Sequence, residues 1–383
     1  MKVMKIFFMM WFGATMGLFS EIKLKTTEVW TIGREDSGVL FTMPMEILVN
    51  SHSRVYVREF KRVQMEGMVS FELLTFEADG KAGRTIGRRG QGPNEFSNIT
   101  CMTVGRNDDI YLFDNRTQRI TVIDSAGKNA GSYRFPENEW KEFSFIHQNT
   151  EGDIVLLNPY QKNGEQNLFE VYPPGFRGMK SAFGPVSRFI DPSEKYYRKF
   201  NSNFKAAAVD GVGYVLTPVF YTGKVFLIDL RKGVSIRELA GRKPGLKTLE
   251  YLSAEEMNKL NQDIRESQKK GKSLPVRIMS QYESGQEIHL KIHNQSLGLF
   301  FTGQHIIHFI EIDNGKRFEK WIDVYTSEGD YQGSTDISNQ YPDPESFRPL
   351  AFDREGNFYF TVVGPDEFPL IRKVRWHLEL SIP

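Results

Sequence analysis

Four corners with a shared shape constrain this chain more than any other feature of its sequence. "TIGR" stands at Thr31–Arg34 and again at Thr85–Arg88, with weaker echoes in "AFGP" from Ala182 and "LAGR" from Leu239. Their glycines, Gly33, Gly87, Gly184 and Gly241, are separated by 54, 97 and 57 positions, so the middle gap is about two repeats wide. Self-similarity at such a period marks an array of supersecondary units, each able to bury its apolar face only against its neighbours.

Between the corners, a turn of Asp, Asn, Gly or Ser leads six times into a short run rich in aromatic and β-branched residues. The runs are "SHSRVYV" from Ser51, "GRNDDIYLFD" from Gly105, "TEGDIVLLN" from Thr150, "VDGVGYVLTP" from Val209, "NQSLGLFF" from Asn294 and "DREGNFYFTV" from Asp353. Most are followed by another strand ending in a tight turn, as in "LLTFEADGK", "ITVIDSAGK", "VFLIDLRKG" and "IDVYTSEGD". Alternation of apolar and polar residues puts one side of each strand into a core, which reads as antiparallel β throughout. About four strands per repeat, six times over, predicts an all-β six-bladed β-propeller in one domain over residues 21–383. "KTTEVWTIGR" reads as an outer strand and "LIRKVRWHLEL" as a third strand. The N-terminal strand is therefore expected to complete the last blade, which would remove a free sheet edge.

One segment breaks this rhythm. In residues 249–272, Ser253 precedes Glu256 by three positions, Met257, Leu260 and Ile264 share a helical stripe, and Gly271 offers a stop. That pattern predicts one inserted helix between the fourth and fifth blades.

The corner "GRRGQGPNEF", residues 87–96, must carry the chain from the outer strand "GRTIG" to the next inner strand "ITCMTV". Gly87, Gly90 and Gly92 are expected to supply left-handed backbone where it doubles back, Pro93 to stiffen the approach, and Phe96 to wedge between blades.

The stretch Ile86–Lys128 resembles an NHL-type repeat, with a G-x-G-x-x-F entry, a D-x-I-Y-L strand and a D-N-x-x-x-R-I hairpin. The whole chain is similar in rhythm to exported bacterial six-bladed propellers of the NHL and TolB-like kind. That resemblance implies the fold and leaves activity open.

Composition sets outer bounds on function. The 383 residues are 40% hydrophobic and 25% charged, with a net charge of +1, so there is no global reason to expect nucleic acid or an anionic membrane as partner. Lys2 and Lys5, the apolar stretch Ile6 to Phe19 and the small or polar end at Ser20 read as a signal peptide over residues 1–20. Its apolar part is shorter than the ~20 residues a bilayer span needs, so no stable membrane span is expected after cleavage, and the location is periplasmic or extracellular. Cys101 is the one cysteine, which excludes an intrachain disulfide, and its apolar surroundings predict a buried side chain.

Candidate chemistry gathers at the loops between blades. Arg34, Arg88, Arg89 and Arg242 come from three equivalent corners, and Asn115 and Arg116 from a hairpin expected on the same face. Guanidinium forks so placed would suit the carboxylate or phosphate of a small anionic ligand. Pairing with neighbouring acids is the structural alternative for these arginines, and a cross-strand pair is expected between Asp114 and Arg119. His289 and His293 share strand parity at a spacing too long for one metal, while His305 and His308 differ in parity. Tyr196, Tyr197, Phe200, Trp140 and Tyr341 fall in connections between blades, where rings can bind a sugar or peptide or plug the wedge.

No nucleophile elbow, zinc-protease motif or P-loop is present, so no cofactor or metal is expected. A binding or scaffolding module, for a small anion or an envelope protein, is the leading expectation. The alternative is a divalent-metal hydrolase or lactonase whose carboxylates would come from "DNRT", "DPSE" or "YPDPES".

Overall fold

In a computed structural model, residues 22–380 are described apart from 34–37, 64–67, 137–138, 160–166, 190–203, 245–247, 270–275, 284–285, 342–346, 365 and 367. The proposed signal peptide, residues 1–20, lies outside the described residues. Among those described, no helix is long and apolar enough to cross a membrane.

Six four-stranded antiparallel sheets dominate the structure. In the first, Pro44–Val49, Val55–Val63, Met68–Phe76 and Ala82–Ile86 pair in chain order. The second is built from Ile99–Val104, Ile110–Asp114, Arg119–Ile123 and Asn129–Arg134, and the third from Phe145–Gln148, Ile154–Leu157, Asn167–Tyr172 and Ser181–Pro185. Phe204–Val209, Gly213–Pro218, Val225–Asp229 and Ser235–Leu239 form the fourth. The fifth contains Asn294–Phe301, His305–Asp313, Phe318–Thr326 and Tyr331–Asp336. In the sixth, Arg348–Phe352, Asn357–Val363 and Pro369–Leu380 are joined by Ile22–Ile32 from the start of the chain, with Ile22 opposite Leu380 and Ile32 opposite Ile371.

The first strand of each sheet touches the first strands of its neighbours, and the sixth returns to the first. Apolar clusters follow the same order. One holds Ile86, Phe96 and Ile99 between the first two sheets, and another holds Ile371, Tyr359, Phe41 and Val55 between the sixth and first. This is the arrangement of a β-propeller, in which sheets are stabilised face to face by neighbours instead of by one central core.

The corner at residues 87–96 works as its sequence implies, with one change. Gly87 and Gly90 have φ of 79° and 153°, while the third left-handed residue is Asn94, at 57°, in place of the expected Gly92. Asn tolerates this region because its short polar side chain can bond locally. Phe96 is fully buried in the cluster between the first two sheets, and a Cβ on Gly87 would stand 2.2 Å from its ring. Gly33 repeats the device under Phe41 at 2.9 Å.

The Asp114–Arg119 pair is realised in register but not in chemistry. The two residues sit opposite each other, yet the Arg119 guanidinium donates to the carbonyls of Gln91, Gly92 and Glu95 at 2.9, 3.2 and 2.7 Å. Asp114 accepts instead from the backbone N–H groups of Ser97, Arg116 and Thr117. Both therefore hold backbone, and Arg119 clamps the 87–96 corner.

Two further expectations are corrected. "NQSLGLFF" is the inner strand of the fifth sheet, and the second strand begins at His305 beyond a turn. Within 249–272, the helix α1 spans Ala254–Lys269, whereas Leu249–Leu252 is a strand paired with Gln286–Ile292. Ser253 and Glu256 do form the capping box, with Oγ to Oε2 at 2.7 Å and the Glu256 N–H returning to Ser253 Oγ at 3.2 Å. With Arg277–Glu283, these strands make a small sheet between the fourth and fifth. Met257, Leu260 and Ile264 on the helix are half-buried.

Replacing Phe96 with alanine is expected to cost about 3–5 kcal/mol, as for a large buried aromatic. Gly87→Ala should cost about 1–3 kcal/mol through left-handed strain and the Phe96 contact. Denaturant unfolding checks both, and an unchanged midpoint for either would contradict the wedge.

Candidate functional site

All six inner strands line one central cavity of about 830 Å³. The inner strands otherwise carry no Asp, Glu, Lys or Arg, so charged groups at this position stand out. Glu46, third on its strand, and Lys205 and Arg348, at the second and first positions of theirs, are such groups. Arg58 joins them from the second strand of the first sheet, where it is in register with Glu46.

Glu46 and Arg58 form an ion pair, Oε2 to Nε, at 3.1 Å, and Arg58 also donates to the Ile99 carbonyl. Arg348 Nη1 reaches the Met45 thioether sulfur at 3.4 Å, a weak acceptor. Among the described residues, no hydrogen bond or ion pair holds Lys205 Nζ. One carboxylate thus faces three cations, and two positive charges remain once Arg58 is paired. Glu142 is a second carboxylate at the cavity lining, in the passage between the second and third sheets.

Burial and neighbouring charge shift these side chains from their ordinary values. Burial lowers Lys205 to about 8, helped by Arg348 and Arg58 and opposed by Glu46. Burial also pulls Arg348 down, with Arg58 adding to the effect and Glu46 opposing it. For Glu46, burial raises the carboxyl, while Arg58, Lys205, the Met102 N–H and Arg348 oppose it. A partly buried cation without a direct ion-pair partner is costly, and an anionic guest would relieve that cost.

At later positions of the inner strands the lining includes apolar groups, with Leu48 on the first sheet, Phe300 and Phe301 on the fifth and Phe352 on the sixth, all half-buried. The rings of Phe300 and Phe352 lie 5.6 Å apart. His147 shares this region, and burial holds its imidazole down at about 4, against the pull of Asp210.

Of the residues singled out at the loops, Asn115 lines the cavity and accepts a hydrogen bond from Asn98 Nδ2. Arg88, Arg89, Arg116 and Arg242 do not line it, and Arg34 lies outside the described residues. Arg88 is paired with Glu95 at 2.7 Å, Arg89 and Arg116 are exposed, and Arg242 stacks 3.4 Å above the Trp321 ring while donating to Ser334 Oγ at 3.0 Å. Sequence reasoning missed this group because Glu46, Lys205 and Arg348 each stand alone inside apolar runs, "PMEILV", "FKAAAV" and "RPLAF", while Arg58 is one of several charges in "VYVREFKRV". A lone charge in an inner strand was the signal that could have found them.

The histidines are dispersed. His293 bonds Asp313 at 2.8 Å and Glu250 at 3.2 Å, His289 bonds Ser280 at 2.8 Å, and His308 is buried against Ser296 at 3.0 Å. Among the described residues, no three His, Cys, Asp or Glu side chains converge on a common point. Asp114 of "DNRT" is occupied by backbone, while "DPSE" and residues 342–346 of "YPDPES" lie outside the described residues, as do Tyr196, Tyr197 and Phe200. Tyr341 stacks on Phe347 at 4.3 Å as a plug, and Trp140 is 53% exposed. Cys101 is buried, and burial raises its thiol well above the usual range.

Residues 44–172, which span the first two sheets and most of the third, match the model of a family, DUF5128, described as a 6-bladed beta-propeller. No curated protein matches the chain. Among solved structures, a member of the DUF4221 family from Bacteroides vulgatus is similar at 12% identity and a TM-score of 0.63, over 94% of this chain and 99% of that one. A Bacteroides fragilis protein named for inferred export is similar at 11% identity and a TM-score of 0.53, over 93% of this chain and 95% of that one. At these identities the likeness shows the fold.

Because the folded-state value of Lys205 lies below its unfolded one, the charged amine penalises the native state fully below pH 8 and progressively less above it. With Arg58, Arg348 and Glu46 facing it, Lys205→Met is expected to raise the thermal midpoint at pH 7, and the gain should shrink as pH rises from 8 toward ~10.4, the ordinary lysine value. Melting curves across that range check this; a gain equally large at pH 10.5 would contradict it.

Proposed function

We propose that this chain is an exported binding protein, a closed six-bladed propeller over residues 21–383 that takes a small anion into its central channel. The pairing of Ile22–Ile32 with Pro369–Leu380 supports closure, since it gives the last sheet its outer strand from the opposite end of the chain. The sequence of residues 1–20 supports export.

One observation carries the binding assignment: Lys205 and Arg348 project into the cavity without an acidic partner of their own, beside an Arg58–Glu46 pair. A carboxylate or phosphate there gains charge-assisted hydrogen bonds in a partly dehydrated space, where such bonds are worth more than in water. Asn98 and Asn115 add amide groups at the lining, and the exposed Arg116 beside them extends positive charge outward. A divalent cation at Glu46 would face three positive charges, so the charge of this channel favours an anion over a metal.

Calorimetric titration with acetate and with inorganic phosphate tests this. Binding of at least one is expected, weakened roughly 10- to 100-fold by Arg348→Ala, the loss typical of a charged hydrogen bond. Glu46→Gln should tighten binding by freeing Arg58. Absence of binding at millimolar concentration, or binding indifferent to Arg348→Ala and Lys205→Met, would overturn the assignment.

A further inference from the structure

The cavity is divided along its length, and the division says what kind of anion fits. Its charges come from the opening positions of inner strands, Glu46, Lys205 and Arg348, while the later positions of those or equivalent strands contribute Leu48, Phe300, Phe301 and Phe352. Strands that run the same way around an axis place equivalent positions at equivalent depths, so the cationic groups form one level and the apolar groups another. The apolar side chains are half-buried, although they belong to types that are normally enclosed when they sit on an inner strand. Part of their remaining surface faces the cavity, and Leu48 and Phe352 also line a smaller pocket beside it.

Resting on the anion-binding reading above, we infer that the ligand class is an amphipathic carboxylate, its head on Lys205 and Arg348 and its aliphatic or aromatic body against Phe300, Phe301 and Phe352. Inorganic anions satisfy only the first level and leave the second wet. A neutral hydrocarbon satisfies only the second and leaves two cations uncompensated. A molecule with one anionic end and one apolar end satisfies both at once, and about 830 Å³ is ample for a ligand of ordinary small-molecule size. Because the head is fixed by charge, each added methylene is placed on the apolar level, and burial of one methylene corresponds to roughly a fourfold gain in affinity.

The test is a chain-length series of acetate, butanoate, hexanoate and octanoate, titrated into the full folded protein alongside inorganic phosphate. Affinity is expected to rise toward octanoate by about two- to fourfold per methylene. Phe352→Ser should flatten that slope while acetate binds as before, and Arg348→Gln should weaken every member by a similar factor. Circular dichroism of both variants confirms that they remain folded, and Leu48→Ser serves as the second probe of the apolar level should Phe352→Ser unfold. If acetate or phosphate binds but affinity is flat along the series, the amphipathic ligand class is overturned and the anion site stands. If no anion binds, the anion-binding reading itself falls.

Discussion

Apolar packing between successive sheets is the interaction on which the rest of this structure depends. No single sheet could be stable alone, since each is apolar on both faces and would present both to water. Phe41, Phe96, Phe143, Phe189 and Phe347, each buried at or near a passage from one sheet to the next, fill the wedges that open as sheets fan outward. The left-handed glycines Gly33 and Gly87 let the chain pass beneath two of these rings without collision. Only because those wedges hold do six inner strands meet around one space.

That space is where the chain departs from the economy of a packed core. Glu46, Arg58, Lys205 and Arg348 are contributed by three sheets, and only the circular arrangement brings Lys205 and Arg348 to each other and to the Glu46–Arg58 pair. Burial and mutual repulsion leave Lys205 at about 8, so the folded protein carries an unrelieved electrostatic cost at neutral pH. A fold selected for stability alone would place an apolar residue there. Retaining the cation makes sense where a guest of opposite charge compensates it, and the apolar level beyond gives the rest of that guest a place to lie.

Much of the fold was legible because propeller repeats are local. Turns such as "EADGK" and "DSAGK" fix hairpins within a few residues, and the Phe96 corner announces its own geometry through glycine spacing. The rhythm breaks at the fifth sheet, where the inserted strands and helix intervene and "NQSLGLFF" is an inner strand although its pattern matches that of second strands elsewhere. Asp114 and Arg119 illustrate the boundary well: their register follows from the hairpin, but the carbonyls of Gln91, Gly92 and Glu95 that Arg119 clamps belong to another element and cannot be read from strand pairing. The basic channel was illegible for the same reason, since Lys205 and Arg348 are remote in sequence from Arg58 and are signalled only by a charge in an apolar run.

The channel is proposed to hold an amphipathic anion with its head at the opening positions of the inner strands and its apolar end at their later positions. Anomalous diffraction from crystals soaked in 8-bromooctanoate locates both ends of such a ligand directly. The expected result is a bromine peak against the exposed edges of the touching Phe300 and Phe352 rings, with carboxylate density at Lys205 and Arg348. Bromine found solely on the outer surface, or a carboxylate in the channel remote from those two cations, would contradict it.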